Sequence, residues 1–151
     1  LQIKYLKRFI YIDLFWFGIC KLIIKFYGYL PAKKLKFGAD LETKKSHQQS
    51  INWVYGSWID SDDGFNYAVK LKNLNLAPSL YLAAINDHVL GHPKDVERFM
   101  NESGTGEKCY ILLGKNYGNL VNYDHINMLA HPLAIKDHFQ VVLNWLKSND
   151  S

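Results

Sequence analysis

A chain of 151 residues that is 48% hydrophobic and 15% aromatic has the material for one packed core and lies outside the compositional range of disordered chains. Its net charge of +4 is too mild to signal nucleic acid, and no zinc-finger or RNA-binding motif adds to it. The two cysteines, Cys20 and Cys109, stand far apart and outside any CxxC pair. They fit reduced thiols in a cytoplasmic setting, with one disulfide as the alternative.

The chain opens on Leu1 in an already dense structural pattern, without the succession of charged, apolar and small residues that makes a signal peptide. We therefore expect it to begin inside a larger protein. Residues 2–27, QIKYLKRFIYIDLFWFGICKLIIKFY, are the most hydrophobic stretch. A membrane span needs roughly 20 mostly apolar residues with few charges, and Asp13, Lys21 and Lys25 interrupt this one. On an α-helical wheel Lys4, Lys7, Arg8, Lys21 and Lys25 share an arc of about 140°, with Asp13 nearly opposite among apolar residues. The pattern predicts one long amphipathic helix, or two divided near Gly18, packed on apolar surface. An interfacial membrane helix is the less favoured alternative.

Glycines 28 and 38 and Pro31 mark turns, and Asp40 is expected to cap a short helix running towards Trp53, with Glu42 in its first turn. Asp60, Asp62, Asp63 and Gly64 form D-x-D-D-G, part of a calcium-loop spacing without its closing glutamate. PSLYLAAIND (78–87) and KCYILLG (108–114) are short apolar runs of the kind found in strands buried on both faces. Between them HPKDVERFMNESG (92–104) predicts a helix with Pro93 at its first position and Gly104 beyond its end. PLAIKDHFQVVLNWLKS (132–148) predicts a closing helix. Strand, helix, strand, helix at these lengths is a parallel βαβ unit. The fold class is thus α/β, with a helical segment at 1–77 ahead of a strand-helix-strand-helix part at 78–151.

In open α/β sheets functional groups collect beyond the carboxyl ends of the strands. Asp87 follows the strand at 80–86, and His125 lies in the loop after the strand at 108–113. A carboxylate and an imidazole at one sheet edge are what a Ser–His–Asp system requires, because the acid sets the histidine tautomer and the histidine takes the nucleophile's proton. Asp124, adjacent to His125, is the competing acid, but sequence neighbours rarely meet in the plane such a bond demands. Either residue could instead be structural: a buried, backbone-satisfied histidine or a strand-end turn aspartate. A zinc site at His88 and His92 with Asp87 and Asp95 is a further alternative, disfavoured because Gly91 and Pro93 keep His88 off the helix. His131 and His138 are expected in a loop and on a helix surface.

Several segments resemble the C-terminal part of an α/β-hydrolase. GYLPAKKLKFGADL and INWVYGSW are similar to a glycine-proline segment and a tryptophan-containing helix of a bacterial hydrolase group. APSLYLAAINDHVLGHPKDVERF resembles the family's strand, acid loop and helix, and LLGKNYGNLVNYDHINMLAH its histidine loop. The likeness covers nearly the whole chain. It implies cap-like helices at 1–77, Asp87 as triad acid and His125 as triad base, an ester, lipid-like ester or amide as substrate, and no cofactor.

The family's nucleophile sits in G-x-S-x-G on a strand-to-helix turn, and no serine here has that context. GICKL around Cys20 lacks the second glycine. The early loop that supplies oxyanion donors is missing too, so the 151 residues alone should not hydrolyse anything. The expected partner is the missing N-terminal half of the hydrolase. The alternative is a non-catalytic α/β fragment that binds a protein partner or a membrane surface through its hydrophobic N-terminal segment.

Overall fold

The computed structural model describes residues 5–36 and 40–149, which divide between Lys70 and Leu71 into two compact units. In the first, the chain is helical from Tyr5 to Tyr27 without a break, through α1 (Tyr5–Arg8), a π-helical stretch (Phe9–Cys20) and α2 (Lys21–Tyr27). Of the two possibilities left open by the sequence, one continuous helix is the outcome, and Gly18 lies inside the π-helical stretch. The wider turn of that stretch rotates successive side chains less than an α-helix does. The single basic arc read from an α-helical wheel is therefore not kept. Lys7, Lys21 and Lys25 are exposed, whereas the Arg8 guanidinium lies 5.8 Å from the Tyr55 ring centroid. Lys4 lies outside the described residues. Asp13, placed by the wheel among apolar side chains, accepts a hydrogen bond from the Tyr55 hydroxyl at 3.1 Å.

Gly28 ends α2 at φ 77°, a left-handed conformation that a side chain would strain. The turn at Gly28 lets β1 (Tyr29–Leu30) pair antiparallel with β2 (Glu42–Thr43). The turn expected at Gly38 lies outside the described residues. Thr43, not Asp40, caps α3 (Lys44–Val54): its Oγ1 accepts from the Ser46 N–H at 3.1 Å, while the Ser46 hydroxyl donates to Glu42 at 3.0 Å. The cap falls there because β2 keeps the backbone extended up to Thr43, three residues past Asp40. Cys20, Ile24, Leu30 and Ala32 form the buried centre of this unit, with Phe15, Trp16 and Ile23 packed against it. The acidic loop is closed by its own backbone. Asp60 and Asp63 accept from the N–H groups of Asp62 and Phe65, and the second Asp60 oxygen from Gln49 and Tyr67. Lys45 pairs with Asp62.

α4 (Tyr67–Lys72) spans the division. In the second unit, β3 (Ser79–Ala84) and β4 (Lys108–Leu113) are parallel, with Ser79 opposite Lys108 and Ala84 opposite Leu113. α5 (Pro93–Glu102) makes the crossover, with Pro93 at its start as expected. After a 3-10 turn (Lys115–Tyr117) come α6 (Asn127–Ala130), a second 3-10 turn (Pro132–Lys136) and α7 (His138–Ser148). The fold is α/β. The expectation of strands buried on both faces is not met, since only Ala83, Ala84 and Leu113 of β3 and β4 are buried. A pair of strands cannot enclose itself as an inner strand of a wider sheet is enclosed.

The sequence divided the chain at 77/78, whereas residues 71–77 pack with the second unit. The Leu76 N–H donates to Thr105 O at 2.7 Å and the Thr105 N–H to Leu74 O at 2.8 Å. Gly104 does more than end a helix: a Cβ there would collide with the Leu74 carbonyl. Ala84, Leu113, Tyr123 and Ala134 form the core of this unit, with Leu82, Ile111 and Phe139 against it.

Candidate functional site

β3 ends in a turn closed by the Asp87 N–H donating to Ala84 O at 3.0 Å. Asp87 is 4% exposed. One of its oxygens accepts from the N–H groups of Val89 and Leu90, at 3.3 and 3.0 Å. The other lies 2.7 Å from His125 Nδ1. Burial alone would raise the Asp87 pKa. The N–H groups of Gly91, Val89 and Leu90 and the His125 ring outweigh it and hold the carboxyl below its usual range.

An ionised carboxylate only accepts, so His125 Nδ1–H is the donor in this bond. The His125 side chain is 47% exposed, and its Nε2 has no hydrogen-bond partner among the described residues. The pair is thus an imidazole oriented by a buried carboxylate, with its Nε2 side left open. Asp124, the competing acid, is engaged elsewhere: it accepts from the N–H groups of Ile126 and Asn127 and from the Asn127 amide, at 2.8–3.0 Å. It shapes the turn that carries His125.

Sequence reasoning missed the groups that hold this turn in place. The Asn86 N–H donates to Tyr123 O at 2.9 Å, tying the two loops together. Asn119 Oδ1 accepts from the Gly114 N–H, and Asn122 Oδ1 from the Lys115 N–H, both at 2.8 Å. Tyr123 is fully buried, and its hydroxyl donates to Asp137 at 2.9 Å. Burial and that carboxylate push the phenol up to about 12. Asp137 also accepts from the Asn119 amide and the Leu120 N–H. Burial would raise its pKa, but these donors hold it below the usual range. An aspartate opening a helix reads as a cap, yet Asp137 makes no side-chain cap bond to α7. Gly91 was noted only for its effect on His88. A Cβ at Gly91 would stand 2.8 Å from the Asp87 oxygen and 3.6 Å from His125 Nδ1, so the pair needs a residue without one.

Three of the other histidines bond the backbone. His92 Nδ1 accepts from the Lys94 N–H at 3.3 Å and caps α5. His131 Nδ1 accepts from the Leu133 N–H at 3.1 Å. His138, expected on a helix surface, is 1% exposed, with Nε2 2.7 Å from Met128 O. It stands four residues after Ala134, which is also buried. No group of three or more histidine, cysteine, aspartate or glutamate side chains fit to hold a metal occurs among the described residues, and His88 stays in the turn before α5. Cys20 and Cys109 are free thiols. Comparison with protein-family models, curated proteins and solved structures finds no match.

Proposed function

We propose that the chain is the C-terminal portion of a serine hydrolase of the α/β-hydrolase type, with Asp87 and His125 as acid and base of its triad. The observation that carries this reading is the 2.7 Å approach of His125 Nδ1 to a buried carboxylate, with Nε2 facing away from it. Backbone donors and the His125 ring hold the buried Asp87 carboxyl below its usual range, which favours the ionised state that orients the ring and stabilises the imidazolium.

The chemistry is acyl transfer. Nε2 removes the proton of a serine hydroxyl as its oxygen attacks the carbonyl carbon of an ester, lipid-like ester or amide. The imidazolium returns that proton to the leaving group. Water, deprotonated by the same nitrogen, then attacks the acyl-enzyme and frees the serine. The serine and the oxyanion donors come from outside these 151 residues, so the chain is inactive by itself and contributes half a site. Leu90 and Ile126, in the loops that carry Asp87 and His125, and Leu129 of α6 are 73, 66 and 72% exposed. Apolar side chains there are suited to packing against the half that brings the serine.

The test begins in the nucleotide sequence upstream. A G-x-S-x-G encoded within about one domain's length of this segment allows the joined protein to be made and assayed on an activated ester. Turnover should appear, and His125→Ala should lower it by at least about 10⁴-fold with the far-ultraviolet spectrum unchanged. Undiminished turnover in that variant would refute the base assignment. An upstream sequence without a nucleophile would refute the hydrolase reading.

A further inference from the structure

The helix from Tyr5 to Tyr27 leaves a line of large apolar side chains uncovered. Leu6, Ile10, Leu14, Leu22 and Phe26 are 68, 44, 51, 59 and 81% exposed, each four or eight residues from the next. In an α-helix a four-residue step overshoots one turn, and in the wider π-helical stretch it falls short. The two drifts oppose each other along this helix, and the five side chains stay in one ridge. Tyr27, Tyr29 and Leu35, which follow it in the sequence, are exposed as well.

The sequence from Leu14 onwards through the end of the helix and the following turn carries charge of one sign. From Leu14 to Lys36 the sequence holds Lys21, Lys25, Lys33, Lys34 and Lys36 and no aspartate or glutamate, and all five lysines are exposed. Asp13, the only acid in the helix, is engaged by Tyr55. We infer that this ridge and its lysines seat the N-terminal unit on the surface of an anionic phospholipid bilayer, with the helix lying in the plane of the interface.

Apolar side chains enter the boundary between headgroups and acyl chains, lysine stems follow them while the ammonium groups reach the phosphates, and tyrosines favour headgroup depth. No helix of the described residues is long and apolar enough to cross a membrane, which leaves the in-plane arrangement for this segment. A second copy of the chain answers the charge less well, because it would bring the same lysines and no acid to the ridge. The inference does not depend on the triad, which lies in the other unit.

The full chain should float with phosphatidylcholine vesicles containing phosphatidylserine and much less with phosphatidylcholine alone. Each lysine near an anionic surface contributes roughly fivefold, so Lys21→Gln with Lys25→Gln should weaken binding roughly 20- to 30-fold. Leu22→Ser with Phe26→Ser should weaken it at least about tenfold. Both apolar residues are more than half exposed, so folding should survive, which circular dichroism verifies. Absence of binding, equal binding to neutral vesicles, or full binding by the serine variant would overturn the inference. So would a concentration-dependent dimer, lost in the serine variant, from a chain that ignores vesicles.

Discussion

Asp87 shows how one residue can serve orientation and folding together. Its carboxylate is buried, holds His125 Nδ1 with one oxygen and satisfies two backbone donors with the other. Asp87→Asn keeps the shape but removes the charge, and its amide can force the wrong imidazole tautomer. In the complete protein that the proposed function implies, turnover should fall by about 10⁴-fold. The variant also isolates a pH effect. Because the folded pKa of Asp87 is lowered, the unfolded chain binds the proton first as pH falls. The stabilisation is complete above the ordinary aspartate range and is lost as pH drops through the lower folded value. Denaturant melts between neutral pH and pH 3 should show a steeper loss for the parent chain than for Asp87→Asn. Parallel curves would mean that Asp87 is no more easily ionised in the fold than out of it. The meeting of Asp87 and His125 was legible in the sequence, since a strand-end aspartate and a loop histidine need only the βαβ pattern to be placed at one edge. Gly91 and Asp137 were not, because each acts through a contact between segments that local pattern does not encode.

Among the elements, caps and turns follow from short-range chemistry only when the neighbouring backbone is known. Asp40 and Thr43 are both good caps by residue type. The β1–β2 pairing decides between them, because it sets where extended backbone gives way to helix. Thr43→Ala should therefore cost about 1 kcal/mol, measured by denaturant unfolding, and Asp40→Ala should fall within ±0.5 kcal/mol. A larger effect at Asp40 would move the start of α3. His138 shows the same limit: it opens α7 and lies buried, with Nε2 2.7 Å from Met128 O. In α1 and α2 the sequence disclosed the helix and its lysines. The π-helical stretch between them arranged the exposed ridge, through a turn width that composition does not announce.

For the whole molecule, the balance between covered and uncovered apolar surface is the informative quantity. Leu90 and Leu129 beside the candidate site and Phe26 on the helix ridge are all more than 70% exposed, and β3 and β4 are mostly half-buried. The folded chain should therefore bind a hydrophobic dye such as anilinonaphthalene sulfonate, and on the proposed hydrolase reading the signal should fall when the upstream half is joined to it. A folded chain that leaves the dye dark would mean that this surface is already covered. Taken alone, the sequence determined the α/β class, the parallel strand-helix-strand-helix order and Asp87 and His125 as the residues to watch. Those rest on periodicity and on residue types at strand ends, which are properties of adjacent positions. Tertiary structure decided that Asp87 rather than Asp124 meets the imidazole, that Asn119, Tyr123 and Asp137 hold its loop, and which side of the N-terminal helix stays bare. These depend on the approach of groups distant in the chain, and only the folded backbone fixes those distances.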